Sequence, residues 1–107
     1  MDKQHDTAIG TMTDLLGSRW RLMILYSLMD GTKRFSELKR QVGDVTQKVL
    51  TSNLKALEKH GLLIRTAYAQ MPLRVEYTLT VLGESLRPLI EEIIRWDQAY
   101  RARTVTA

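Results

Sequence analysis

Five side chains that can form hydrogen bonds recur at helical spacing: Gln47, Lys48, Thr51, Ser52 and Lys55. At about 100° per residue they occupy the outer side and one edge of a helix whose other side is apolar. Such a face can read base edges in the DNA major groove, where a Gln can bridge adenine N6 and N7 and a Lys can donate to guanine O6 and N7. We therefore predict that this face contacts DNA. A solvated helix face without a partner is the alternative.

Further cations lie before and after this helix. Arg74, near the tip of a predicted ribbon, could reach a minor groove or a phosphate, or could instead pair with Glu76 on the same face of its strand. Arg65 is a weaker candidate for the same role. Phosphate contacts give affinity and salt dependence but carry no sequence information. The candidates for such contacts are Lys33, Arg34, Lys39 and Arg40. Arg34 could equally brace the turn in which it lies.

Two consecutive helices must hold the DNA-facing side chains, and capping residues predict where these helices begin and end. Ser36 is a suitable N-cap for the first helix, because its hydroxyl can accept from an unpaired N–H, and Phe35 is expected just outside. Thr46 is expected to cap the second helix, which Gly61 ends in the left-handed conformation. The expected buried positions are Leu38, Val42, Val49, Leu50, Leu54 and Leu57. Residues 36–60 are therefore predicted to form a helix-turn-helix.

Residues 63–80 are predicted to form a β-hairpin beside these helices. The stretches 63–68 and 74–79 are short and rich in β-branched and aromatic residues, and a loop around Pro72 separates them. In the second stretch, apolar and polar residues alternate, so that Val75, Tyr77 and Leu79 share the face expected on the core. A helix-turn-helix followed by such a two-stranded wing is the outline of a winged helix-turn-helix DNA binder.

Two terminal helices, at residues 7–17 and 81–103, carry more apolar surface than a chain of this size needs for its own core. Thr80 is expected to cap the second of them, and Pro88 is expected to kink or interrupt it. We predict that both helices form a dimer interface. The residues expected in that interface are Ile9, Met12, Leu16, Leu86, Ile90, Ile93, Ile94 and Trp96. A helix from Arg19 to Asp30, apolar nearly all round, is expected to be buried at the centre.

The composition predicts one globular domain, residues 1–107. The net charge is +4, and the excess positive charge lies on residues 33–80, among the predicted DNA contacts. The start of the sequence, Met1 to Asp6, is polar and unlike a signal peptide. The longest apolar run, Leu22 to Tyr26, is too short to cross a membrane. We therefore expect a cytoplasmic protein without a membrane segment.

Catalysis and metal binding have little support in the sequence. There is no cysteine, which excludes disulfides, zinc–thiolate sites and thiol switches within this chain. His5 lies in a polar terminal stretch, and His60 lies at the predicted end of a helix, where it can interact with terminal carbonyls. No glycine-rich phosphate loop, Ser-His-Asp set or metal-ligand spacing occurs. We expect no enzyme activity, no cofactor and no metal site.

Two signatures occur together in this order: Gln-Lys-x-Leu-Thr at residues 47–51 and Arg-Val-Glu-Tyr-x-Leu-Thr at residues 74–80. They strongly resemble the HxlR-type family of bacterial transcriptional regulators, and the similarity runs from about Thr7 to about Tyr100. The resemblance implies a homodimeric winged helix protein that pairs through its terminal helices and acts near promoters. Many family members carry a Cys-Pro pair at the head of the first helix, and some sense oxidants or electrophiles with that cysteine. Here Thr7-Ala8 stands at that place.

These observations predict a mainly α (α+β) fold: a winged helix-turn-helix with a two-stranded wing and extra N- and C-terminal dimerisation helices. The predicted function is sequence-specific, homodimeric binding to an inverted-repeat site in double-stranded DNA, as a repressor of transcription. A small-molecule effector at the dimer seam is a further possibility, because methionines could line a pocket there. The alternative is a winged-helix module that binds another protein and has no specific affinity for DNA.

Overall fold

A computed structural model describes residues 3–106, with side chains described for residues 3–104. This part of the chain contains six helices and three strands. They are α1 (Lys3–Leu16), α2 (Arg19–Leu28), β1 (Lys33–Arg34), α3 (Phe35–Val42), α4 (Gln47–Lys59), β2 (Leu63–Tyr68), β3 (Arg74–Leu79), α5 (Val81–Glu84) and α6 (Arg87–Thr106). The predicted mainly helical winged helix-turn-helix is confirmed: α3 and α4 are the helix-turn-helix, and β2 and β3 are the wing. The predicted domain, residues 1–107, extends beyond the described residues at both ends.

Helix α2 lies at the centre of the fold, as its apolar sequence predicts. It packs against α1, α3, α4, β3 and α6, and Ile24, Leu25 and Leu28 are almost wholly buried. The expectation that the helix is buried all round is wrong on one side, because Tyr26 is 56% exposed. The helix also ends at Leu28, before the predicted end at Asp30.

Helix α1 begins at Lys3, earlier than the predicted start at residue 7, and ends at Leu16 just before Gly17, as predicted. Gly17 is required there because a Cβ on this residue would lie 2.2 Å from the carbonyl oxygen of Thr13. The chain then turns into α2, whose first N–H groups are capped by Ser18. The Ser18 hydroxyl accepts from the backbone N–H of Trp20 at 3.2 Å.

The start of α3 differs from the prediction. Arg34 is the N-cap residue, Phe35 is the first residue of the helix, and Ser36 lies within its first turn. The Glu37 carboxylate accepts from the backbone N–H of Arg34 at 2.9 Å, so a side chain from inside the helix satisfies the N–H of the N-cap residue. Ser36 was therefore wrongly predicted as the cap, and Phe35 does not lie outside the helix.

The sheet has three antiparallel strands in the order β1-β3-β2, one more than the predicted two-stranded wing. The added strand is β1, where Lys33 is opposite Tyr77 and Arg34 is opposite Glu76. Beside it, the hydroxyls of Thr32 and Thr78 are hydrogen-bonded at 2.7 Å. The hairpin itself has the predicted bounds, with Leu63 opposite Leu79 and Tyr68 opposite Arg74. The two-residue strand ties the start of α3 to the base of the wing.

The C-terminal segment is two helices, and the break between them lies just before Pro88. Thr80 caps α5, and its hydroxyl accepts from the Gly83 N–H at 3.0 Å. Pro88 is the second residue of α6, where a missing N–H costs no helical hydrogen bond. Arg87 fixes this junction by donating to the Met29 carbonyl at 2.6 Å and pairing with Glu84 at 3.0 Å. The interruption predicted for this helix is confirmed.

The molecule is elongated because α1 and α6 extend beyond the core. Its radius of gyration is 15.9 Å, against about 13 Å for a compact chain of this length. Ile90 is the only buried residue of α6 among residues 87–104. Within residues 3–106, no helix is long and apolar enough to span a bilayer.

Candidate nucleic-acid interface

Helix α4 is oriented by a capped first turn and a buried leucine face. The Thr46 hydroxyl accepts from the Val49 N–H at 3.1 Å, as predicted for an N-cap. Leu50, Leu54 and Leu57 are 0–1% exposed, which fixes the rotation of the helix about its axis. Val49 was wrongly predicted on the buried face, since it is 37% exposed.

The predicted DNA-facing side chains lie together on the outside of α4. All are exposed except Thr51, which is half-buried. They line one shallow depression, defined by Gln47, Lys48, Thr51, Ser52 and Lys55. The arrangement offers an amide, two hydroxyls and two ammonium groups to one partner surface, a set that can both donate to and accept from base edges.

Asn53 lies on the buried side of α4, where it forms hydrogen bonds that the sequence did not predict. Its side chain is 9% exposed. Asn53 Nδ2 donates to the Val49 carbonyl at 2.8 Å, and its Oδ1 accepts from Arg21 Nε at 3.3 Å. The Arg21 guanidinium also donates to the carbonyl of Asp14 at the end of α1. A signal was available, since Asn53 shares the helix face of Leu50 and Leu57, where a polar residue needs a buried partner.

Two groups of cations differ in whether they form ion pairs. Within residues 3–104, one group forms ion pairs: Lys33, Arg74, Arg87, Arg95 and Arg101. In the same part of the chain, the cations on the helix-turn-helix and on the neighbouring strands β1 and β2 form no ion pair, apart from Lys33. These unpaired cations are Arg34, Lys39, Arg40, Lys48, Lys55, Lys59 and Arg65. Unpaired cations on one region give it a positive potential that attracts a polyanion.

Lys33 does not fit its predicted role as a phosphate contact. It is 8% exposed and its ammonium group forms a hydrogen-bonded ion pair with the Asp30 carboxylate. The hydrogen bond from Lys33 lowers the pKa of the Asp30 carboxyl. A buried, paired ammonium group closes the turn between α2 and β1, and so it is not available to DNA.

The other phosphate candidates differ in exposure. Arg34 is exposed at the strand β1, and Arg40 is exposed on α3. Lys39 is half-buried near the end of α3, where its carbonyl accepts from the Gly43 N–H at 3.1 Å. All three remain able to present a positive charge on the surface, with Lys39 the most restricted of them.

Arg74 is engaged within the wing. Its Nε lies 3.1 Å from Glu76 Oε2, and its guanidinium carbon lies 4.6 Å from the centre of the Tyr68 ring. Tyr68 and Arg74 are opposite each other across β2 and β3. The same-face pairing weighed as the alternative for Arg74 is therefore present, and a DNA contact by this residue has to compete with it.

A family model described as HxlR-like helix-turn-helix matches residues 15–105, which include α2 to α5 and nearly all of α6. The chain belongs to the HxlR family. It is a DNA-binding winged helix-turn-helix regulator of transcription, as the resemblance in its sequence predicted.

The individual relatives and solved structures that resemble this chain are also named as regulators. The HTH-type transcriptional regulator YkvN of Bacillus subtilis (strain 168), itself uncharacterized, is 46% identical over 98 residues, which are 92% of this chain and 83% of YkvN. The redox regulator HypR in its reduced form superposes with a TM-score of 0.86 at 33% identity, covering 94% of this chain and 99% of HypR. A protein from Enterococcus faecalis V583 assigned to the MarR family superposes with a TM-score of 0.81 at 34% identity, covering 100% and 96% of the two chains.

Four of the eight predicted interface residues are exposed on the terminal helices of this HxlR-family chain. Met12, Leu16 and Leu86 are half-buried, whereas the side chains of Ile9, Ile93, Ile94 and Trp96 are 36–64% exposed. Ile90 is the exception, since its side chain is only 5% exposed and packs into the chain's own core. Trp96 stacks on Tyr100 with ring centres 5.2 Å apart, and Tyr100 is 51% exposed.

Proposed function

We propose that this HxlR-family regulator is a homodimeric, sequence-specific repressor that acts in the cytoplasm on an inverted-repeat operator. One observation carries the proposal: five hydrogen-bonding side chains line a single depression on α4. The cations of α3, α4, β1 and β2, except Lys33, form no ion pair within residues 3–104. A helix that presents such groups away from its core is suited to the major groove, where each base pair offers a distinct pattern of donors and acceptors.

The side chains of this interface have separate roles in the proposal. Gln47 and Lys48, in the first turn of α4, read base edges, and a good contact of this kind gives about 1–3 kcal/mol of discrimination. Thr51, Ser52 and Lys55 extend the same face. Arg34, Lys39 and Arg74 bind the phosphate backbone, which sets register and affinity without reading sequence.

The terminal helices support the homodimer. In the proposal, the exposed apolar groups on α1 and α6 (Ile9, Ile93, Ile94 and Trp96) form one apolar surface in the dimer, since contiguous exposed apolar surfaces mark interaction sites. The half-buried Met12, Leu16 and Leu86 lie at the edges of the same surface in the proposal, and Ile90 backs it. A twofold dimer would place its two α4 helices on half-sites about 34–36 Å apart, or a multiple of that.

Signal detection is proposed to be independent of thiols. HypR is a redox regulator, but these 107 residues contain no cysteine, and Thr7-Ala8 stands where many family members resemble one another in carrying Cys-Pro. A small-molecule effector bound at the dimer seam is the route proposed here. An effector of this kind would raise the melting temperature of the protein, since it binds the folded state only.

The proposal is tested by titrating a labelled random-sequence duplex of about 30 base pairs with the purified protein at several salt concentrations, together with sedimentation equilibrium. We expect a dimer whose affinity falls steeply with salt, because phosphate contacts release counterions. A monomer without duplex affinity at low salt would contradict the proposal. That result would favour a module that docks another protein through its basic face.

A further inference from the structure

The wing and α4 enclose a groove, here called the helix–wing groove, that the sequence interpretation did not anticipate. Its volume is about 470 Å³. Its walls come from α4 and from β2 and β3, and Phe35 also lines it. The lining residues that carry charge or hydrogen-bonding groups are Gln47, Thr51, Lys55, Glu58, Arg65 and Tyr77.

Arg65 points into this groove because of its register. It is opposite Tyr77 across β2 and β3, and residues opposite each other in an antiparallel pair project from the same face of the sheet. Tyr77 is 7% exposed and faces the core, so this face of the wing is the one turned toward α4. Arg74 belongs to the other face, with Tyr68 as its opposite residue.

The two wing arginines therefore differ in availability. Arg74 is held by Glu76 and by the Tyr68 ring. Arg65 is exposed, and within residues 3–104 it forms no ion pair and no side-chain hydrogen bond. A guanidinium without a protein partner keeps all five N–H donors for a phosphate, with which it can form paired hydrogen bonds.

The groove is also continuous with the proposed base-reading surface. Gln47, Thr51 and Lys55 line both the groove and the depression on the outside of α4. When α4 lies in the major groove of DNA, the DNA backbone that borders the major groove runs along the flank of the helix. The flank that carries Lys55 faces Arg65, and these two cations against the one carboxylate of Glu58 leave the groove with a net positive charge.

We propose that the helix–wing groove binds a backbone phosphate of the duplex between Arg65 and Lys55, and that Arg65 contributes more to DNA affinity than Arg74 does. This inference rests on the proposed function. Arg65 supplies affinity and salt dependence without reading sequence. Glu58 weakens the phosphate contact through like-charge repulsion, which limits how tightly the regulator holds unspecific DNA.

The test compares variants in duplex titrations over a range of salt. Arg65→Ala should weaken binding to every duplex by roughly tenfold, the effect of losing a hydrogen bond to a charged group. It should also lower the slope of log affinity against log salt by about 0.9 per chain. Arg74→Ala should have a smaller effect. Arg95→Ala is the matched control, since it removes the same charge from an exposed ion pair on α6 and should leave the slope unchanged.

A variant of Glu58 tests independently whether the charge in the groove affects DNA binding. Glu58→Gln should tighten binding to all duplexes by a few-fold, because it removes the carboxylate from the proposed phosphate site. Wild-type affinity and salt slope in Arg65→Ala, or equal losses in Arg65→Ala and Arg95→Ala, would overturn the inference while leaving the proposed function intact. Failure of the wild-type protein to bind any duplex would overturn the proposed function itself, and the inference with it.

Discussion

Arg21 Nε donates to Asn53 Oδ1 at 3.3 Å, and this hydrogen bond joins α2 to the buried side of α4. Arg21 also donates to the Asp14 carbonyl, so one guanidinium links the end of α1, the central helix and the helix proposed to enter the major groove. The buried leucines fix the rotation of α4, and this polar contact adds a directional restraint to it.

Asn53→Ala should therefore lower the free energy of unfolding by about 1–3 kcal/mol, because it leaves Arg21 Nε without its acceptor in a half-buried position. Urea denaturation measures the change. Combining Asn53→Ala with Arg21→Ala should give a smaller loss than the sum of the single losses, since the two residues share one interaction. Arg95→Ala, in an exposed ion pair, is the control and should change stability by no more than about 0.5 kcal/mol. Strict additivity of the pair would show that the contact carries no energy.

Lys48 and Lys39 should have distinguishable effects on DNA binding. Lys48→Ala removes an exposed donor from the first turn of α4, so it should change which sequences are preferred. Lys39→Ala, on α3, should weaken binding to all duplexes about equally and lower the salt slope by about 0.9 per chain. Competition between operator and unrelated duplexes measures both. Equal losses on every sequence for the two variants would remove Lys48 from base reading.

The apolar side of α6 should control dimerisation. Ile93 is 44% exposed, and Ile93→Glu would place a charge in the proposed interface. We expect the dimer dissociation constant, measured by sedimentation equilibrium, to rise by at least about 30-fold, the effect of losing a strong interface contact. Gln98→Glu introduces the same charge at another exposed position of α6, and it should leave the dimer intact. Dissociation by both variants, or by neither, would argue against this face.

Gly83 and Gly10 should respond to alanine with opposite signs. A Cβ at Gly83 would lie 2.0 Å from the Leu62 carbonyl oxygen, so Gly83→Ala should destabilise by about 1–3 kcal/mol by forcing α5 away from the start of β2. Gly10 lies within α1, and a Cβ on this residue would meet no atom within 4 Å outside the neighbouring backbone of its own helix. Gly10→Ala should stabilise by about 0.5–1 kcal/mol through helix propensity. Thermal unfolding of both variants checks the pair, and unchanged stability in Gly83→Ala would contradict the close approach.

Several features set by local chemistry were predictable from the sequence, although the cap of α3 was not. Thr46 caps α4, Gly61 has a φ of 76° at its end, and the hairpin strands have the predicted bounds, because caps, turns and alternation depend on neighbouring residues. The depression on α4 was predictable for the same reason, since a helix fixes which of its side chains lie together.

Features set by distant partners were not predictable. The strand β1 is two residues long and exists because it pairs with β3, and nothing local distinguishes it from a turn. Lys33 looks like a surface cation, but it is buried in the strand that pairs with β3, where it lies opposite Tyr77. The partner of Asn53 is Arg21, which lies on another helix. The availability of Arg65 likewise depends on which face of the wing turns toward α4.

The central claim is sequence-specific, dimeric DNA binding through α4, and selection of bound sequences from a random double-stranded pool at roughly physiological salt tests it most directly. We expect an inverted repeat whose half-site centres are about 10–10.5 base pairs apart or a multiple of that, and a changed motif when Lys48→Ala is selected in parallel. Enrichment without any motif, or no retention of DNA even at low salt, would contradict the claim.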